Sequence, residues 1–65
     1  MVSGFYRVVC DELARAGFAY LGNAKGSHEK WQNAQTGRLV LVPRNLKSRH
    51  TANAILKSAG LGKKF

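Results

Sequence analysis

Sixty-five residues make one domain, and chains of about this size bury only roughly 60% of the surface their unfolded forms expose, which excludes a deep enclosed pocket and points to a shallow site. Eleven Lys and Arg against three Asp and Glu give a formal charge of +8, a field that selects a polyanionic partner such as nucleic acid or an acidic protein. The single cysteine, Cys10, excludes an internal disulfide, and no Cys/His spacing suits a metal, so neither metal nor cofactor is expected.

The cations are scattered from Arg7 to Lys64 rather than gathered in one block, so a folded surface must display them. The start "MVSGFYRVV" shows no secretory signal. The longest aliphatic run, Leu39 to Val42, is four residues, against the ~20 of a membrane helix. The expectation is a cytoplasmic protein with no membrane partner.

From Ser3, a candidate N-cap, the residues Phe5, Val8, Val9, Leu13 and Ala16 recur at helical spacing, with Arg7, Asp11, Glu12 and Arg15 on the other side and Gly17 at the stop. Cys10 falls inside this pattern and reads as packing. Phe18 to Leu21 is predicted as a strand ending at a Gly22-Asn23 turn. Gly26 punctuates again before a second strand, His28 to Asn33, whose two-residue period sets His28, Lys30 and Gln32 on one face and Glu29 and Trp31 on the other. Trp31 is assigned to the core.

The turn "NAQTG" joins this strand to a third, Arg38 to Val42, closed by Pro43. A basic loop, Arg44 to His50, then leads to a second helix with Thr51 as N-cap and Ala52, Ile55, Leu56 and Ala59 buried. Gly60 stops it, Leu61 folds back on the last turn, and Lys63-Lys64-Phe65 is predicted to fray. The order α-β-β-β-α is an α+β fold: three antiparallel strands, two helices on one face, and the other face and its rim left for a ligand.

The stretch "KGSHEKW", Lys25 to Trp31, sets a histidine after a glycine turn and between two lysines. Those are the parts needed to cleave RNA through its own 2′-hydroxyl. His28 supplies a proton carrier that titrates near neutrality, Lys25 and Lys30 supply charge for the phosphate oxygens, and Gly26 and Ser27 supply turn N–H groups. The same residues also make an ordinary surface hairpin, and both readings stand at this point. Arg38, Arg44, Lys47 and Arg49 are expected to crowd the rim between the third strand and the second helix, as candidates for holding RNA. A nucleotide-gripping phosphate loop is discarded, because "GNAKGSHEK" lacks the Gly-Lys-Ser/Thr ending.

Four segments in order, "LARAGF", "KGSHEKW", "LVLVPRN" and "TANAILKSAGL", resemble the HicA-type mRNA interferase toxins nearly end to end. The resemblance implies a fold like the double-stranded-RNA-binding domain, endoribonuclease activity on mRNA, a catalytic histidine at His28, and neutralisation by an acidic HicB-type antitoxin covering the His28 face. Many relatives carry a second histidine two residues after the Val-Pro proline, where this chain has Asn45. His50 is the candidate substitute as a second proton carrier, with a satisfied loop histidine as the other reading. A non-catalytic double-stranded-RNA-binding module is the competing function.

Overall fold

The computed structural model describes residues 4–62 and 64–65. Helix α1 (Tyr6–Arg15) is followed by strands β1 (Phe18–Lys25), β2 (His28–Asn33) and β3 (Leu39–Pro43) and by helix α2 (Arg49–Ser58). The three strands form an antiparallel meander in the order β1-β2-β3. Phe18, Val40 and Val42 on one sheet face join Val9 and Leu13 of α1, and Ala52, Ile55, Leu56 and Ala59 of α2's side, in one core. Both helices therefore cover the same sheet face, as the apolar stripes and the strand alternation require. Among the described residues no helix is long and apolar enough to cross a membrane.

Local chemistry explains most boundaries. Helix α1 ends at Ala16, and the Gly17 N–H donates to the Ala14 carbonyl at 3.1 Å. Helix α2 ends in a Schellman arrangement, with Gly60 N–H on Lys57 O at 3.0 Å and Leu61 N–H on Leu56 O at 2.8 Å. This is the fold-back expected of Leu61.

Three expectations are corrected and one feature, the third below, is added to the basic loop. First, β1 runs past Gly22-Asn23 to Lys25, because register shifts between Tyr20 and Gly22 and between Asn23 and Lys25 absorb the irregular residues inside the strand. The reversal is made instead by Gly26-Ser27, a two-residue hairpin loop closed by the Lys25–His28 pair. Gly26 takes φ +57° at the first central position, while no non-glycine residue has positive φ, the pattern of a type II′ turn.

Second, α2 starts a turn earlier than Thr51. Ser48 is its N-cap, with Oγ accepting from the Thr51 N–H at 3.3 Å, so Arg49 and His50 are helical rather than loop residues. Third, Leu46 in the "basic loop" is buried to 2% exposure, and its carbonyl accepts the Phe5 N–H at 2.7 Å. Fourth, the C-terminal residues do not fray: Asn53, itself buried, accepts from the N–H of Lys64 (3.2 Å) and of Phe65 (2.9 Å) and donates to Phe65 O (3.1 Å). The Phe65 ring packs edge-on against Phe5 at 4.9 Å. Lys63 and the proposed Ser3 cap lie outside the described residues; α1 has Phe5 at its N-cap position with no side-chain cap bond.

The Leu46 contact penalises any larger residue at Gly4. A Cβ there would stand 2.6 Å from the Leu46 oxygen, and the backbone on both sides is held in place by the Phe5–Leu46 hydrogen bond. Gly4→Ala is expected to cost about 1–3 kcal/mol, the range for forced overpacking, read as a lower urea midpoint at an unchanged slope.

Candidate functional site

His28 is the first residue of β2 and is exposed. It pairs with Lys25 of β1 on one side and with Pro43 of β3 on the other. Directly opposed residues of an antiparallel pair share a face with Cβ atoms ~4.5–5.5 Å apart, so Lys25 and His28 are side-chain neighbours. Lys30 lies on the same face two residues further along, a rise of about 7 Å.

Its opposed residues Leu41 and Gly22, with Gln32, Leu39 and Ala19 in the next row, complete this open face. The three carboxylates lie elsewhere: Asp11 and Glu12 on α1, and Glu29 on the helix-covered face. An anion approaching His28 over the sheet therefore meets cations and no acidic side chain. The N–H groups of Gly26 and Ser27 belong to the loop and stand outside the β1–β2 ladder.

Beneath this surface Glu29, only 5% exposed, is held by three elements. The Tyr6 hydroxyl from α1 donates to its two oxygens (2.8 and 2.9 Å), the Trp31 Nε1–H from β2 donates to Oε1 (3.2 Å), and Arg44 Nε stands 3.6 Å from Oε2. Burial, reinforced by the hydrogen bond to Glu29, pushes the Tyr6 phenol well above its ordinary value. Arg44 also donates its backbone N–H to the Ser27 carbonyl at 3.0 Å. One residue thus ties the end of β3 to the loop that carries His28 and to the carboxylate behind it.

Trp31 lies on the core face, paired with Val40 and tilted against Tyr20 at 6.0 Å, so it does not share the open face with His28. Cys10 is half-buried against the core, and burial raises its thiol pKa, which keeps it protonated and suits packing rather than thiolate chemistry.

The remaining cations do not crowd one rim. Arg38 precedes β3 at the end opposite Pro43 and donates Nη1–H to the Ser58 carbonyl at 2.9 Å, at the C-terminus of α2. Arg44 and Lys47 line a cleft of about 320 Å³ together with Tyr6, Arg7 and Leu46. Arg49 and His50 line another of about 460 Å³ with Asn53, Ala54, Lys57 and Phe65, and His28 is not among its residues. The length of β3 is the physical reason: five strand residues separate Arg38 from Arg44, roughly 16 Å or more at the strand rise.

Sequence reasoning missed the Tyr6–Glu29–Arg44 network and the place of Arg7. The available signal was parity: a lone carboxylate assigned to the core face beside Trp31 demands a donor. Nothing local named that donor, because Tyr6 stands 23 residues from Glu29 in the chain.

Among curated proteins and solved structures no match emerges. The family described as "HicA toxin of bacterial toxin-antitoxin" matches residues 6–61, nearly the whole chain and every element described above. The chain belongs to the HicA toxin family, and it is the toxin of a bacterial toxin-antitoxin system, a class that acts opposite an antitoxin partner.

Proposed function

We propose that this toxin is a metal-independent endoribonuclease that cleaves mRNA with His28 as its general acid/base. The observation that carries the reading is the exposed imidazole set between Lys25 and Lys30 on a sheet face without a carboxylate. In the proposed step His28 takes the proton of a ribose 2′-hydroxyl, whose oxygen attacks the adjacent phosphorus. Lys25, Lys30 and the Gly26 and Ser27 N–H groups bind the non-bridging oxygens as charge builds on them. The P–O5′ bond breaks, the leaving oxygen takes a proton from water at this open site, and the His28 imidazolium gives its proton to the hydroxide so formed, which restores the base. His50, on α2 in a separate cleft, has no part in the step.

An acidic HicB-type antitoxin covering the His28 face completes the proposal. That face offers Leu39 and Leu41, 50% and 48% exposed, beside Lys30, and an apolar centre with a cationic edge suits an acidic protein surface.

The chemistry is testable from its products. In EDTA the protein should cut unstructured RNA to leave 2′,3′-cyclic phosphate and 5′-hydroxyl ends, and should leave the 2′-O-methyl version intact. Cleavage of the methylated strand would refute the mechanism. Protection of RNA with no new ends would identify a non-catalytic binding module instead.

A further inference from the structure

The cleft between the start of α1 and the loop after β3 is unused by the proposed chemistry. Its lining is mostly apolar, formed around Tyr6, Leu46 and Gly4, and three cations stand about it: Arg7 from α1, and Arg44 and Lys47 from the loop. Asn45 adds an amide with two donors and an acceptor. At about 320 Å³ it falls at the lower end of the ~300–1,000 Å³ found for small-molecule sites.

An apolar floor with a cationic margin matches one ligand chemistry closely, a flat heteroaromatic base carrying phosphates. Base contact tolerates any sequence, and the cations answer the backbone charge. Arg44 is only partly committed: Nε is the nitrogen near Glu29, while the side chain remains 63% exposed, which leaves its terminal amino groups for a phosphate. The position of the cleft supplies the second argument. The Arg44 N–H is bonded to Ser27 O, and Pro43, the residue before Arg44, is the cross-strand partner of His28. A strand of RNA with its reacting phosphate at His28 therefore reaches the cleft by turning over the hairpin end of the sheet, from the open face to the side of Glu29 and α1.

We propose that the cleft formed by Tyr6, Arg7, Arg44, Asn45, Leu46 and Lys47 is a nucleotide subsite that holds the base and phosphate next to the phosphodiester placed at His28. The assignment rests on the ribonuclease reading for its register, and it adds Arg7, Tyr6 and Asn45 to the RNA-contacting residues. Such a subsite contributes uniform binding, so it sets KM rather than kcat.

The test is a titration of the full-length protein with a 2′-O-methyl tetranucleotide, which cannot be cleaved, followed by amide chemical shifts. Shifts should appear at Arg7 and across residues 45–47. The double variant Arg7→Gln/Lys47→Gln, both sites on exposed side chains, should bind roughly tenfold more weakly, with a salt dependence shallower by about two phosphate contacts. On cleavable RNA the same variant should raise KM by a similar factor at unchanged kcat.

Shifts confined to the open face around Lys30 and Gln32, or a double variant that binds as tightly as the parent, would overturn the subsite. So would perturbation of the cleft by purified antitoxin but not by the oligonucleotide. If the parent cuts no RNA yet the tetranucleotide shifts the cleft, the catalytic reading falls and the binding site stands. If it cuts RNA and the cleft stays silent, the reverse holds.

Discussion

Replacing His28 with alanine should lower kcat for RNA cleavage in EDTA by about 10²–10⁴-fold, the typical contribution of a positioned general acid or base. KM should change little, since Lys25, Lys30 and the loop N–H groups that bind phosphate remain. Stability should stay within about 0.5 kcal/mol of the parent, because the side chain is exposed and makes no hydrogen bond among the described residues. That combination separates lost chemistry from lost fold. Expression of the variant should no longer arrest growth, while binding to the antitoxin persists. His50→Ala is the matched control: His50 lies in another cleft, so its loss should leave kcat unaltered. A His28→Ala protein that still cuts at the parental rate would place the proton carrier elsewhere.

How far the sequence discloses this arrangement depends on the range over which each feature is determined. The face assignments of β2 follow from a period of two, and the structure has Glu29 and Trp31 on the core side with His28 and Lys30 opposite. The ends of both helices follow from Gly17 and Gly60, whose N–H groups close the last turns as read. The helix start was legible in kind but misplaced, because Ser48 and Thr51 are both good caps and only the Ser48 Oγ bond decides between them.

Features built from distant pairs were hidden. Leu46 reads as one apolar residue in a basic loop until its carbonyl meets Phe5, some 40 positions away in the chain. Asn53 and Phe65 carry no local sign of each other. The cations illustrate the same limit: net charge forecast a polyanionic partner, but only the course of β3 separates Arg38 at one end from Arg44 at the other.

Glu29→Ala should lower the unfolding free energy by about 2–4 kcal/mol. The carboxylate is buried, and its removal takes the acceptor from the Tyr6 hydroxyl and the Trp31 indole N–H, both half-buried. A buried orphan costs ~1–3 kcal/mol, and these half-buried donors fall at the lower end. Arg44, 63% exposed, can turn to water and adds little. A domain of this length has roughly 3–10 kcal/mol in total, so the variant should be largely unfolded near 40 °C where the parent is folded.

Tyr6→Phe removes one donor and leaves Glu29 with Trp31 and Arg44, and it should cost about 1 kcal/mol at neutral pH. It also gives a pH signature. The unfolded chain releases the Tyr6 proton near 10, while the folded protein, through burial and the bond to Glu29, retains it to higher pH. The folded state then binds more protons, so this contribution is complete below pH 10 and declines as pH rises above it. Urea titrations from pH 9 upward should show a steeper loss of stability for the parent than for Tyr6→Phe. Parallel curves would mean that the phenol is not held by Glu29, and an unchanged midpoint for Glu29→Ala would mean that the carboxylate does not join α1, β2 and the Arg44 loop behind His28.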